Sequence, residues 1–452
     1  MRLRKTITTI VATAILLAGW QLFAVIANQP ELIPSLPRLV RTLCEWLVSG
    51  SFYQSVGATI LRGILGMSIS FVCAIGMAGL FARFEWVYEL IRPLLAIMRS
   101  IPVISFILLA LIFLNPESIP LMIAFLTMFP LLTENLTRGI LDLRPGLSIM
   151  ARQFHIKRSN VLFQIIYPQL KPFLYSGLAS AAGFGWRAII MGEVLSQCAF
   201  GIGSEMKRAQ NFIAVPELLA WTIVAVFISF FFDKGISKVA DITPKISFAN
   251  EDQTIPTPTL SVLDTKDISY QYGIQHFSHS FQKGIIYGIS APSGKGKTTL
   301  LNLIGGILLP TEGEIHPTRH FGIATIFQQP QLLPHLTAEE NIILPLSSFL
   351  TEEKARRIAQ KHLQEMEMEP FGNRYPKELS YGQQQRIAIA RALAYPSPLL
   401  LMDEPFKGLD EALSHRIIER IREKQMKEER IILFTSHNPD EIRLLADEVI
   451  YL

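Results

Sequence analysis

The chain has 452 residues, 50% of them hydrophobic, with a mean hydropathy of +0.32; that length suits about two to three domains, and the apolar excess excludes an ordinary soluble protein. A net charge of +4 gives no reason to expect nucleic acid. Cys44, Cys73 and Cys198 lack metal-type spacing and imply no disulfide framework.

The apolar residues are unevenly placed. Up to about Phe232 the sequence is a series of apolar blocks; from about Asp264 charged and apolar residues alternate as in a globular α/β domain. The start, Met1 to Lys5 followed by the apolar run Thr6 to Ala27, has the basic flank of a signal peptide. The run is nevertheless as long as a bilayer-spanning helix and similar runs follow it, so a retained first span is the better reading. Further candidate spans are Val56–Phe81, Leu90–Leu114 (broken by Pro102), Ile119–Asn135, Leu174–Leu195 and Glu217–Phe232, giving about six. Arg2, Arg4, Lys5, Arg83, Arg138, Arg144, Arg152, Lys157, Arg158, Lys171, Lys234 and Lys238 fall on one side of these spans. Arg38, Arg41, Lys207 and Arg208 fall on the other. This asymmetry places the N-terminus and the C-terminal half inside the cell.

Between the fourth and fifth spans, Ile149, Met150, Phe154 and Val161 share a helical face while Arg152 and Arg158 face water. Periodicity alone leaves two readings open, a helix lying on lipid headgroups or one docking on protein. Ionisable residues within spans are costly: Arg62 and Arg99 read as snorkelling or structurally paired near span ends, and Arg187 and Glu193 as candidates for facing a path through the membrane. The stretch from Thr243 to Thr259, with Pro244, Pro256, Pro258 and Asn250 to Gln253, lacks an apolar period and reads as an irregular tether.

The second half opens with a phosphate loop. A short apolar strand, Ile285 to Ile289, runs into Ala291-Pro-Ser-Gly-Lys-Gly-Lys-Thr-Thr299, which turns and begins a helix. Backbone N–H groups of Ser293, Gly294, Lys295 and Gly296, with those of the helix start at Lys297, Thr298 and Thr299, converge on phosphates. In that place Lys297 is expected to neutralise the β- and γ-phosphates of ATP, and the Thr298 hydroxyl to ligate Mg²⁺. Ala291 stands where the motif has its first glycine. Downstream, the apolar run Pro398 to Met402 ends in Asp403 and Glu404. Asp403 suits holding Mg²⁺, and Glu404 suits a base that polarises the attacking water.

Leu379-Ser-Tyr-Gly-Gln-Gln-Gln-Arg386 resembles the Leu-Ser-Gly-Gly-Gln signature of ABC ATPases, with Tyr381 in place of the first glycine. The resemblance covers nearly all of Leu260–Leu452. It implies an adenine-stacking aromatic (Tyr272), a Q-loop glutamine serving catalysis and metal (Gln328), a D-loop aspartate (Asp410) and a switch histidine (His437). It also implies that Ser380 and Gly382 reach the γ-phosphate bound by a second copy, and that Gln383 is a nucleotide contact.

In the membrane half, Ala151, His155 in the place of a usual glycine, and Ile165-Ile166-Tyr167-Pro168 resemble the cytoplasmic coupling loop of ABC-importer permeases. Thr59-Ile-Leu-Arg62 with Gly66, Arg99-Ser-Ile-Pro102, Gly185-Trp-Arg-Ala188 with Glu193, and Gly201-Ile-Gly203 resemble the permeases of nitrate, taurine, alkanesulfonate and thiamine-precursor importers.

The resemblance implies an all-α polytopic membrane domain (1–242), a linker (243–259) and an α/β P-loop ABC ATPase domain (260–452). Such a protein is a homodimer in the cytoplasmic (inner) membrane with its ATPase in the cytoplasm. It hydrolyses ATP with Mg²⁺ to import a small solute delivered by an external solute-binding protein, in contact with membrane lipid and without nucleic acid. Two alternatives share the same order of domains: an exporter half-transporter, and a non-transporting regulator cycled by ATP. A soluble module with a simple anchor does not account for several spans.

Overall fold

The fold is that of a computed structural model describing residues 2–240, 244–253, 260–271, 273–292, 294–317 and 322–452. Tyr272 and Ser293, two of the expected nucleotide contacts, lie outside the described residues, as do 241–242 at the end of the expected membrane domain and 243 and 254–259 of the expected linker. The chain forms two compact units. Met1–Leu143 and Gln169–Thr243 make the first; Arg144–Pro168 and Pro244–Leu452 make the second.

In chain order the helices up to the linker are α1 (Arg2–Ala27), α2 (Leu36–Trp46), α3 (Gly50–Arg83), α4 (Glu85–Ser100), α5 (Val103–Phe113), α6 (Ile119–Leu141), α7 (Pro145–Gln153), α8 (Arg158–Asn160), α9 (Tyr167–Ser196), α10 (Ile202–Asn211) and α11 (Val215–Ala240). Among the described residues four helical stretches are long and apolar enough to cross a membrane: Gly50–Arg83, Pro116–Leu141, Arg158–Ser196 and Val215–Lys238. Val11–Ala27 is a shorter apolar helix. The expected third span is two helices, α4 and α5, bent by 93°. Pro102 is the N-cap of α5; its ring removes a donor and drives the preceding residue out of helical geometry.

The first unit is held together by small residues. Along α3, Ser55, Thr59, Gly63, Gly66, Ser70, Ala74 and Ala78 are buried at steps of three and four, which is one helical face. That face lets backbones approach closely, as helices do where apolar surroundings offer no hydrophobic drive to pack. At Gly66 a β-carbon would lie 2.6 Å from the Ala124 β-carbon of α6. The opposite face of α3 carries Leu61, Ile64, Ile69 and Val72, all exposed, the surface a membrane helix offers to lipid.

The second unit contains strands β1 (Val262–Tyr270), β2 (Ile274–Gln282), β3 (Ile286–Ser290), β4 (Glu312–His316), β5 (Ala324–Ile326), β6 (Leu399–Asp403), β7 (Ile431–Thr435) and β8 (Glu448–Tyr451). Its helices are α12 (Lys297–Ile304), α13 (Ala338–Leu346), α14 (Glu352–Glu365), α15 (Tyr381–Ala394), α16 (Glu411–Glu428) and α17 (Pro439–Leu445). Among the described residues there are two sheets, an antiparallel one ordered β2-β1-β4 and a parallel one ordered β5-β6-β7-β3-β8. Strands β6 and β7 are buried at every residue, which accounts for their unbroken apolar runs. Ligands of such sheets gather beyond the carboxyl ends of the strands.

The segment Arg144–Pro168, which interrupts the first unit in sequence, is part of the second unit's core. Leu147, Met150, Ala151, Phe154, Ile156 and Ile165 belong to its main apolar cluster. Phe154 meets Tyr395 edge-on, ring centroids 5.1 Å apart, while Arg152 and Arg158 stay exposed. The apolar face is therefore used on protein, which removes the headgroup-lying alternative. His155 has φ +47, the left-handed backbone that favours glycine, where the importer pattern carries one.

The described part of the expected tether also departs from expectation. Residues 244–253 have no regular backbone, yet Ile246 and Phe248 pack on that same core.

Candidate active site

The phosphate loop joins β3 to α12. Gly294 and Gly296 have φ of +81 and +89, and a β-carbon on Gly296 would sit 2.6 Å from the Gly273 carbonyl oxygen. Both conformation and space require glycine there. Ala291 is not among the positive-φ residues, so its methyl group costs the loop no strain. Lys295 N–H donates to Pro292 O (3.3 Å), turning the loop. Lys297 is buried and its Nζ donates to the Ala291 carbonyl at 2.6 Å, so the loop holds its cation against its own backbone. Thr298 is exposed and Thr299 half-buried at the start of α12.

Strands β6 and β7 lie side by side with Asp403 opposite Thr435. The Thr298 hydroxyl donates to Asp403 Oδ2 (2.9 Å) and the Thr435 hydroxyl donates to Asp403 Oδ1 (2.8 Å). Burial raises the Asp403 carboxyl above its usual range, against these two bonds. Thr435 also accepts from the Glu404 backbone N–H (3.1 Å). Glu404 has φ +48, an uncommon conformation for a residue with a side chain; it turns the carboxylate out of the strand. There Glu404 meets His437 Nε2 at 3.0 Å, Lys407 Nζ at 3.4 Å and the Gln328 amide. Burial works to raise the Glu404 carboxyl, but Gln328, Lys407 and His437 together hold it below the usual range.

Thr298, Gln328 and Asp403 line one cavity of about 260 Å³. A hydroxyl, an amide and a carboxylate are the hard oxygen donors that Mg²⁺ takes, usually with its waters retained. The expected metal set fits this chemistry.

The signature residues form a separate group. Ser380 caps α15 in a capping box with Gln383: its hydroxyl accepts from Gln383 N–H (3.3 Å) and Gln383 Oε1 accepts from Ser380 N–H (2.9 Å), satisfying two donors at the helix start. Tyr381 is the first residue of α15, so the position requires no glycine backbone. A β-carbon at Gly382 would lie 2.5 Å from the Gly408 carbonyl oxygen, which fixes that glycine. Asp410 caps α16 by accepting from Leu413 N–H (2.9 Å). The bridge from this group to the carboxylate group is the Tyr381 hydroxyl, which donates to the Gln328 carbonyl at 2.8 Å.

Sequence reasoning missed Thr435, which ties Asp403 to Glu404. It also missed Arg391, fully buried and donating to the Pro330 and Gln331 carbonyls at 2.8 Å each. The guanidinium lies 5.5 Å from the Phe154 ring centroid; burial pushes it down to about 9, so it stays charged at neutral pH. A threonine closing a buried strand beside the carboxylate strand was the available signal for Thr435.

In the first unit, motif residues far apart in sequence meet. Glu193 is fully buried and accepts from Arg62 Nη1 (2.7 Å), Thr59 Oγ1 (2.9 Å) and Gly203 N–H (2.9 Å). Arg62 Nη2 reaches Glu117 at 2.6 Å. Glu193 is thus the buried partner in an ion pair that joins two helices. Arg99 and Arg138 both pair with Glu134. Arg187 is exposed and lines a largely apolar cavity with Trp186, Phe230 and Asp233.

Two family profiles match the chain. Residues 56–233 match the binding-protein-dependent transport system inner membrane component, and residues 274–407 match the ABC transporter family. The thiamine import ATP-binding protein ThiQ of Yersinia pseudotuberculosis is 34% identical over 205 residues, covering 42% of this chain and 86% of ThiQ. The Fe(3+) ions import ATP-binding protein FbpC of Rhizobium etli is 35% identical over 189 residues, 40% of this chain and 54% of FbpC. The chain thus spans about half the length of FbpC, and similarly 52% of the glucose import ATP-binding protein GlcV of Saccharolobus solfataricus. Among solved structures, the dimeric post-hydrolysis cassette MJ0796 bound to ADP and Pi is 32% identical, with a TM-score of 0.40, over 42% of this chain and 94% of that one. The chain belongs to the ABC transporter family, with a binding-protein-dependent inner-membrane component and an ABC ATPase on one polypeptide.

Proposed function

We propose that the chain is one protomer of an ATP-driven importer, working as a homodimer in the cytoplasmic membrane and supplied with a small solute by an external binding protein. The observation that carries this is the core position of Phe154. A segment within the region that matches the permease profile is folded into the apolar core of the ATPase unit, so movement of that unit is felt by the helices on either side. A regulator or a simple anchor has no need of such a joint. The import direction is supported by the relatives, whose names describe import of thiamine, iron and glucose.

At the site, Lys297 is placed to exchange its Ala291 carbonyl for phosphate oxygens. Glu404, kept ionised, takes the proton of the attacking water, and His437 and Gln328 orient it. Thr298, Asp403 and Gln328 would hold Mg²⁺, which would supply positive charge to the β- and γ-phosphates. Domain limits of 1–242 and 260–452 suit this division of labour, with 144–168 serving the ATPase side. Ser380, Gly382, Gln383 and Asp410 are assigned to the phosphate site of the second copy on the signature and D-loop resemblance; in their own chain Ser380 and Asp410 cap helix starts. Tyr272 and Ser293 are assigned to adenine and phosphate on the motif alone.

The test is reconstitution in proteoliposomes with the binding protein. ATP hydrolysis stimulated by loaded binding protein, with solute accumulating on the ATPase side, is expected. Glu404→Gln should lower turnover about 10²- to 10⁴-fold and trap an ATP-bound dimer. Solute moving the other way would establish the exporter reading, and ATP turnover indifferent to any solute the regulator reading.

A further inference from the structure

The ten described residues between the membrane helices and the ATPase strands, 244–253, are anchored at both ends. Asn160 is 1% exposed. Its Oδ1 accepts from Ser247 N–H (2.8 Å), and its Nδ2 donates to the Ser247 carbonyl (2.8 Å) and to the Ser347 hydroxyl (2.8 Å). A side-chain amide here makes the two-bond pairing that one strand residue makes with another. Gln164, equally buried, donates from Nε2 to the Pro244 carbonyl (3.0 Å). At the far end Gln253 N–H donates to the Phe349 carbonyl (2.8 Å). Asp252 Oδ1 accepts from the Thr351 N–H (2.9 Å) and hydroxyl (3.0 Å), and Lys354 lies 3.5 Å from Oδ2. Between these ends Ile246 and Phe248 pack on the core.

A free tether would keep its conformational entropy, about 1–2 kcal/mol for each residue's backbone, and would leave no buried amide dependent on it. Here the dependence is mutual. Withdrawal of Ser247 would strip Asn160 of two partners inside the protein, where an unpaired polar group is costly.

We infer that residues 244–253 are a docking strap: Asn160 reads the strap's backbone at Ser247, and the strap clamps the segment Arg144–Pro168 onto the ATPase of its own chain. The clamp follows from packing within the second unit; its part in transmitting motion rests on the transporter reading above. Fusion then does more than keep two domains together. It adds a third surface to the joint and commits each membrane segment to the ATPase made on the same polypeptide.

The test uses the full chain in lipid nanodiscs with a protease site placed within 254–259, past the last anchored residue. After cleavage, release of the ATPase fragment from the disc-bound fragment is timed. Wild type should retain the fragment. Asn160→Leu, which keeps the volume and removes all three bonds, should speed release on the order of tenfold, and Asp252→Ala, at the exposed end, should speed it less. Ser247→Pro, which removes the N–H that Asn160 accepts from while leaving Asn160 itself in place, guards against Asn160→Leu failing to fold. Release at the wild-type rate in Asp252→Ala and in either Asn160→Leu or Ser247→Pro would overturn the strap. Uncut Asn160→Leu should keep its basal ATPase and lose stimulation by loaded binding protein. Fast release in the variants but not in the wild type, with no solute transport by any version, would sink the transporter reading and leave the strap standing.

Discussion

Phe154→Ala tests the joint between the two halves of the chain most directly. Phe154 is fully buried, packed edge-on against Tyr395 and under the Arg391 guanidinium. Truncation leaves a void beneath the Arg391 guanidinium, which is itself tied to the Pro330 and Gln331 carbonyls. A buried Phe→Ala change costs about 3–5 kcal/mol, of which the aromatic pair accounts for about 0.5–1.5 kcal/mol. For a unit of this size, 1 kcal/mol moves the melting temperature by about 2–4 °C; the ATPase transition should fall on the order of 10 °C. Phe154→Leu keeps most of the volume and should recover the larger part. The assay is differential scanning calorimetry of the protein in nanodiscs, paired with ATP turnover measured with and without loaded binding protein. Stimulation should drop more than basal turnover, because Lys297, Asp403 and Glu404 keep their partners. An unchanged transition in Phe154→Ala with full stimulation would refute the idea that the segment is built into the ATPase core.

Further perturbations separate the remaining contacts. Thr435→Val keeps the shape of the side chain but strands Asp403 Oδ1; with about 1–3 kcal/mol lost for a buried unpaired acceptor, ATP turnover should fall about tenfold or more in steady-state assays. Gly66→Val forces a β-carbon to within 2.6 Å of that of Ala124 and should lower the yield of monodisperse protein in size-exclusion chromatography. Arg62→Met leaves the Glu193 carboxylate buried without its cation and should cost about 3–5 kcal/mol, whereas the double change with Glu193→Met should restore much of the thermal stability. A double variant no more stable than Arg62→Met alone would mean the pair is not coupled.

Much of this was legible in the sequence because local chemistry dictates it. The phosphate loop needs glycines at particular backbone angles, and Gly294 and Gly296 have them. The carboxylates close an apolar strand, and Asp403 and Glu404 do so at β6. The signature residues were read by resemblance, and the capping box that Ser380 and Gln383 form at the start of α15 came only with the structure. What the sequence hid depends on partners distant along the chain. Glu193 reads as a lone charge within a span until Arg62, Thr59 and Gly203 arrive from other helices. Residues 244–253 read as a tether because their apolar positions are few and their main attachments are to backbone groups, which leave no trace in periodicity. His155 looked like a departure from pattern, yet it takes up the left-handed turn that the missing glycine would supply.

The division of the ATPase unit between two stretches of sequence bears on how the protein is made. Residues 144–168 leave the ribosome before any of the strands they pack against. Until Phe349 and Tyr395 have been synthesised, Met150, Phe154 and Ile165 have no interior to enter, and a hydrophobic patch waits in water between two membrane helices. Nascent chains stalled within the linker should therefore be recognised by chaperones or proteases at this loop, and a truncated gene product lacking the C-terminal half should be cleared from the cell rather than persist as a free permease.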